Sequence, residues 1–193
     1  MRFRLLNIMI ETLGWVLPRP NKSRYIGSFP LHFEKKLIRL LGIDPDSAKI
    51  LHPFGGKAEY GLRCDINPEV KPGIVCDAHN LPFRDNEFDL VILDPPYNED
   101  YARRLYDTSK FGKLKFGKYT TEGVRVCKEG GYVVMYHFLA TPRMPNTILV
   151  KRILMETRIW HKARIIHIHQ KRSELWSNYN VLKQCCQEVM GLV

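Results

Sequence analysis

The sequence has no C-x-x-C pair. Its five cysteines are Cys64, Cys76, Cys127, Cys185 and Cys186, a spacing that excludes a zinc ribbon or a secretory disulfide framework. Such cysteines fit reduced thiols of a cytoplasmic protein. Apolar runs of membrane-spanning length are missing too. The stretch from Leu5 to Leu17, behind Arg2 and Arg4, is interrupted by Asn7, Glu11 and Thr12, and no small-residue cleavage site follows it. Neither a spanning segment nor a signal peptide is expected, and no membrane partner. The stretch reads instead as a packed N-terminal helix within residues 1–20, ended by Gly14 and the Pro18-Arg19-Pro20 turn. Acidic residues are scarce: 20 Asp and Glu stand against 30 Lys and Arg, a formal charge of +10 over 193 residues. That excess favours a polyanionic partner, with nucleic acid, DNA or RNA, ahead of an anionic surface. The length suits one α/β domain with a sizeable core.

What is present centres on residues 88 to 97, Phe88-Asp89-Leu90-Val91-Ile92-Leu93-Asp94-Pro95-Pro96-Tyr97. An apolar run containing β-branched Val91 and Ile92 predicts a strand buried on both faces. Pro95 and Pro96 have no N–H for a neighbouring strand, and Pro95 biases Asp94 away from helix. Asp94 and Tyr97 are therefore expected at the carboxyl end of the strand, the edge where open α/β sheets bind ligands. Asp94 and the Pro95 carbonyl could accept the two hydrogens of an exocyclic amine while the Tyr97 ring stacks on its heterocycle. A buried strand ended by a Pro-Pro turn, without chemistry, is the alternative.

Asp-Pro-Pro-Tyr closing such a strand resembles motif IV of the S-adenosylmethionine-dependent amino-methyltransferases, which methylate adenine N6, cytosine N4 or related exocyclic nitrogens. Upstream stretches carry the resemblance further. Ser28-Phe29-Pro30 enters an amphipathic helix with Phe33, Leu37, Leu40 and Leu41 at helical spacing and Gly42 as its stop, and its position is similar to motif X, whose turn lies along the methionine end of the cofactor. Ile50-Leu51-His52-Pro53-Phe54-Gly55-Gly56 resembles motif I, a strand and glycine turn that let the backbone approach a ligand closely. His52 departs from the pattern, because an acid is usual there and a neutral imidazole cannot offer the cofactor ammonium the same anionic partner. With an ordinary pKa of about 6.5, His52 is expected to charge as the pH falls from about 7.5 to 5.5 and to weaken cofactor binding.

Only Lys57 to Gly61 separate the glycines from the next strand, Leu62 to Asp65, so the crossover is expected to be a link or a single turn rather than a helix. Asp65, followed by Ile66, resembles the motif II acid that takes both ribose hydroxyls; an Asx turn before Pro68 is the alternative. Asp77 and Ala78, after a short third strand, resemble the motif III residues beside the adenine. Further on, a short helix is expected over 100–108 and a basic loop over 109–118, with Lys110, Lys113, Lys115 and Lys118 placed to clamp a phosphate backbone or lie as a solvated surface. A helix from Tyr119 to Cys127 leads through the Gly130-Gly131 turn into strand five. Pro142, Pro145 and Asn146 put a loop where a helix is usual. Two antiparallel strands, 147–160 and 163–171, then form a basic nucleic-acid-facing hairpin, Arg164 included, or a solvated sheet edge. His167 and His169 share one strand face but have no third ligand at useful spacing, and no metal is expected. A last helix, about 174–190, covers a sheet edge or a partner subunit such as a second copy.

These readings predict one domain over 1–193, with an N-terminal helix in 1–20, a core over 24–171 and a C-terminal helix in 173–193. The fold class is α/β, a Rossmann-like class I methyltransferase sheet, mostly parallel, with a C-terminal antiparallel hairpin and reduced helices. The resemblance implies S-adenosyl-L-methionine as cofactor and methylation of a base amino group, adenine N6 first. Alternatives are a methyltransferase acting on protein glutamine or a small amine, and a non-catalytic nucleic-acid-binding subunit.

Overall fold

The computed structural model describes residues 10–19, 28–96, 113–157 and 163–173. The expected helices over 100–108 and 174–190, together with Tyr97 and Lys110, lie outside them. Eight strands form one sheet: β1 (Glu11–Val16), β2 (Ile50–His52), β3 (Leu62–Asp65), β4 (Ile74–Val75), β5 (Phe88–Leu93), β6 (Cys127–His137), β7 (Thr147–Glu156) and β8 (Arg164–Lys171). Their order is β1-β7-β8-β6-β5-β2-β3-β4, and every pairing is parallel except those of β8. The mostly parallel sheet with antiparallel pairing at its C-terminal end is as expected.

β5 is the strand around which both layers pack. Leu90 and Ile92 join one core cluster with Phe33, Leu37 and Ile38 of helix α1 (Phe33–Leu40), and Val91 and Leu93 join the other with Tyr119, Val124 and Val126 of helix α2 (Phe116–Val126). Successive strand residues point to opposite faces, so a continuous apolar run serves two layers at once. α1 ends as its sequence predicts. Gly42 adopts φ 65°, its N–H reaches the Arg39 carbonyl at 3.2 Å, and the Ile43 N–H reaches Ile38 at 3.1 Å. This is the paired 6→1 and 5→2 closure that a left-handed glycine permits. In α2, a Cβ on Gly123 would stand 3.3 Å from Leu93 Cδ1, so the glycine lets the helix press on the residue that precedes Asp94.

Four expectations are corrected. Residues 11–16 form a strand, not helix. Leu13, Trp15 and Leu17 alternate inward while Thr12, Gly14 and Val16 face out, a period of two that the helical reading overlooked. β1 pairs in parallel with β7, Glu11 opposite Lys151, a contact 140 residues apart that nothing local announces. Because β1 covers β7, and β8 lies between β6 and β7, the hairpin is not a solvated edge. Lys171 is buried, its ammonium donating to Asn86 Oδ1 at 2.8 Å and to the carbonyls of Cys127 at 2.8 Å and Arg125 at 3.2 Å. Gly130 and Gly131 sit inside β6, where the register with β5 shifts, so they form an irregularity in the strand rather than a turn before it. Finally, α2 begins at Phe116, which takes Lys118 out of the expected loop and into the first helical turn.

The expected absences of helix are found. Residues 53–61 cross from β2 to β3 in turns, and 138–146 run from β6 to β7 without a helix. The second segment fills its space by burying Met144 and by setting Thr141 Oγ1 2.9 Å from His167 Nδ1, while Thr147 Oγ1 lies 2.9 Å from His169 Nδ1.

Candidate active site

The chain order reverses direction between β2 and β5: β3 and β4 lie to one side of that pair, β6 to the other. The crevice above such a reversal, at the carboxyl ends of the strands, is the ligand position of open α/β sheets. The register fixes what stands there. Leu51 pairs with Val91 and with Leu62, and Asp65 with Val75. Counting up each strand, Asp94, Phe54 and Asp65 reach the same level. Two strand spacings separate Asp94 from Asp65, about 10 Å along the edge. Arg164 opens β8, and because β8 alone runs antiparallel, its first residue comes to this same edge.

Asp94 follows the last residue of β5 and is half-covered, with Pro95 buried after it. The surrounding protein desolvates its carboxyl and pushes its pKa up to about 8, against the pull of the Arg164 guanidinium. Arg164, expected among the phosphate ligands, thus faces Asp94.

Asp65 accepts the Asn67 N–H at 2.9 Å, the Asx turn weighed against its ligand role, and also the N–H groups of Gly56 and Ile66. Desolvation nevertheless holds its pKa above the ordinary range. The turn 53–61 packs directly on β3: a Cβ on Gly55 would lie 2.7 Å from Arg63 Cβ and 2.9 Å from the Cys64 carbonyl oxygen, and the Gly55 N–H donates to that carbonyl at 2.6 Å. Gly56 adopts φ 43°, and its carbonyl accepts Arg63 Nη1 at 3.1 Å. Gly55 is therefore required by the chain's own packing, and Gly56 by its left-handed backbone.

Asp77 Oδ1 accepts from the His79 backbone N–H at 2.9 Å and lies 2.7 Å from His79 Nδ1. His79 Nε2 accepts the Lys115 N–H at 2.8 Å, which fixes the ring proton on Nδ1, facing Asp77. A relay absent from the sequence reading thus joins the Asp77 turn to the segment entering α2. Ala78 is buried behind it, and Phe54 meets the Tyr119 ring edge-on at 5.4 Å. Lys113, Lys115 and Lys118 are exposed on the approach to this edge.

His52 turns into the protein and is 1 % exposed. Its ring packs 6.1 Å from Phe29, whose ring is in turn 5.0 Å from Phe33 and 5.2 Å from Tyr136. His52 Nε2 lies 3.3 Å from Glu34 Oε1 of α1. Burial pushes the His52 pKa down to about 4, so the charging expected between pH 7.5 and 5.5 does not belong to this residue. Burial pushes Glu34 up to about 7, against the stabilising N–H groups of Glu59 and Tyr60. Glu34 is the main residue that the sequence reading missed. Its signal was available: spaced four and seven residues before Ile38 and Leu41, it occupies the apolar face of its helix, opposite a strand end that lacks its acid.

No protein-family model matches the chain, and no curated relative matches its sequence. Solved structures do match its fold. TrmN from Thermus thermophilus is 16% identical with a TM-score of 0.51 over 75% of this chain and 50% of that one. The 1,6-didemethyltoxoflavin-N1-methyltransferase of Burkholderia thailandensis, which holds 1,6-didemethyltoxoflavin and S-adenosylhomocysteine, is 11% identical with a TM-score of 0.50 over 72% of this chain and 76% of that one. The chain spans about half the length of TrmN. With a mostly parallel sheet reversing between β2 and β5 and, among the described strands, β8 alone antiparallel, the chain has the class I methyltransferase fold.

Proposed function

We propose that this protein is an S-adenosylmethionine-dependent N-methyltransferase acting on the exocyclic amino group of a nucleic-acid base, adenine N6 first. The observation that carries the reading is the position of Asp94-Pro95-Pro96 at the carboxyl end of β5, beside the sheet reversal and level with Asp65. The donor set fits the cofactor. Asp65 is a desolvated, half-buried carboxylate matched to a ribose diol, and Asp77 and Ala78 stand at the next strand end.

When bound, the cofactor supplies an electrophilic methyl group. Asp94 and the Pro95 carbonyl accept the hydrogens of the amine, point its lone pair away from themselves and stabilise the positive charge that develops on nitrogen, and the methylated nitrogen then loses one of these hydrogens as a proton to water. Arg164 keeps Asp94 from being still harder to ionise. Holding both reactants in line lowers the barrier by about 7–11 kcal/mol for a well-oriented pair. In the ligand-free site Asp94 is largely protonated at pH 7, and an incoming amine that donates to it favours its ionised form. Tyr97 serves as the stacking ring for a base out of its helix. Lys113, Lys115 and Lys118 give the approach a positive face for phosphates.

Tritiated cofactor incubated in turn with total RNA, duplex DNA, single-stranded DNA, denatured protein extract and small heteroaromatic amines tests this reading, with nucleoside analysis of the labelled fraction. Label is expected in nucleic acid as an N-methylated base, falling steeply with salt. Label confined to protein would assign the activity to glutamine, label confined to the amines would remove the macromolecular substrate, and a carbon-methylated base would contradict the role given to Asp94.

A further inference from the structure

Glu34 and His52 are 5 % and 1 % exposed, and they meet where α1 crosses the end of β2. Both carboxylate oxygens of Glu34 accept backbone hydrogens from the turn beyond the strand: Glu59 N–H at 3.0 and 3.2 Å, and Tyr60 N–H at 3.3 Å. The His52 ring donates to the Tyr60 carbonyl, while its Nε2 is buried without a hydrogen bond of good geometry although Glu34 Oε1 is only 3.3 Å away. With one ring nitrogen donating, Nε2 of a neutral imidazole presents a lone pair towards a carboxyl oxygen. Two lone pairs at this distance repel unless a proton lies between them. One proton therefore belongs to the pair, and removing it leaves a buried net negative charge under the turn.

We propose that Glu34 is a positioning residue for the 53–61 turn, clamping it through Glu59 and Tyr60 and supplying from α1 the carboxylate that position 52 lacks. The proposal deepens the cofactor reading above and rests on it for its ligand. With the proton in place the pair is neutral. Without it, the hydrogen bonds to Glu59 and Tyr60 become charge-assisted and shorten the reach of the turn, and the negative charge favours a cationic group bound above it. The groups facing the pair are Glu59 on the turn, which opposes ionisation of Glu34, Arg63 on β3, which opposes protonation of His52, the backbone of Tyr60 and the ring of Phe29. The group that titrates near neutrality is Glu34, with a pKa of about 7, so ligand affinity falls as the pH drops through that value. This is the direction expected from His52, carried by a different residue.

The test has two arms on the full chain. In ligand-free protein, amide hydrogen exchange at Glu59 and Tyr60 is compared among the unmodified protein, Glu34→Gln and Glu34→Ala. Glu34→Gln retains an acceptor for the turn and a donor for His52 Nε2, and should keep their protection. Glu34→Ala should speed exchange at these two amides roughly tenfold or more while far-UV dichroism stays native. In the second arm, calorimetry with S-adenosylhomocysteine at pH 6 and pH 8 should show affinity rising roughly tenfold in the unmodified protein, as a single group near pH 7 loses its proton. Glu34→Gln should remove that rise apart from the ligand's own ammonium titration, which both proteins share. Unchanged exchange at Glu59 and Tyr60 in Glu34→Ala, or an unchanged pH ratio in Glu34→Gln, would overturn the proposal. Should Glu34→Ala not fold, Glu34→Gln still decides through its pH ratio. Absence of binding at both pH values would sink the cofactor reading, and the exchange arm would still decide the clamp.

Discussion

The two halves of the sheet reach the same edge by different means. On one side, β2, β3 and β4 have three, four and two residues; on the other, β5 to β8 have six, eleven, ten and eight. The short half leaves its turns at the edge, and its carboxylates meet backbone N–H groups there, Asp65 with Gly56, Ile66 and Asn67, Asp77 with His79. The long half buries polar groups in its body: His167 and His169 are each 2 % exposed, bonded to threonine hydroxyls, and Lys171 lies against carbonyls. At the edge beside the reversal it sets Asp94 and Arg164. The difference separates two tasks. The short half offers carboxylates pre-set by turn geometry, suited to holding a ligand, while the long half offers one carboxyl kept poorly solvated, suited to changing its charge in a reaction.

The largest effect that should follow from this division is on Asp94. Asp94→Ala should lower methyl transfer by at least 10²–10³-fold, the usual scale for removing a group that stabilises charge in the transition state. Single-turnover transfer measured at saturating cofactor checks it, and a loss below tenfold would remove Asp94 from the chemistry. The pH dependence comes next. In the proposed mechanism it is ionised Asp94 that stabilises the charge developing on nitrogen, so kcat/KM at saturating cofactor should rise about tenfold per pH unit up to about pH 8 and level off above it. Arg164→Ala should move the rising limb to higher pH, because the guanidinium is what draws the Asp94 pKa down.

Smaller, but independent of any substrate, is an effect on folding. His52, His167 and His169 have folded pKa values near 4, below the ordinary 6.5, so the unfolded chain binds more protons and stability rises with pH between about 4 and 6.5. Glu34 and Asp94 are raised to about 7 and about 8, so they bind protons in the folded state and lower stability as the pH rises from about 4 to 8. Below pH 6.5 the three histidines outnumber the two acids, and above it only the acids still titrate. Melting temperature should therefore pass through a maximum near pH 6.5, each unbalanced proton contributing about 1.4 kcal/mol per pH unit. A melting temperature that climbs steadily to pH 8 would mean that these groups are better solvated than the structure has them.

The sequence showed more of the edge than of the body. Strand ends are local events: a run of apolar residues, then Asp94 before two prolines or Asp65 before Asn67-Pro68, can be read without knowing what lies alongside. β3 and the end of α1 at Gly42 fall where they were expected for that reason. What escaped depended on partners distant in the chain. β1 takes its form from β7, 140 residues later, which overrode an apolar stretch that reads equally well as a helix. The burial of Lys171 depends on carbonyls of Arg125 and Cys127, so a cation that looks solvated in the sequence is internal. Glu34 and His52 are 18 positions apart on different elements; the place of Glu34 on an apolar helix face could be read from the sequence, but its pairing with His52 comes from the crossing of α1 over β2.

The separation of tasks between the two halves is tested most directly by titrating S-adenosylhomocysteine calorimetrically into the unmodified protein, Asp65→Ala and Asp94→Ala at pH 8. Asp65→Ala should weaken binding by about 1.5–3 kcal/mol, the range for a hydrogen bond to a charged group, and Asp94→Ala should leave it within about 0.5 kcal/mol. Equal losses in both variants, or a loss confined to Asp94→Ala, would contradict the account.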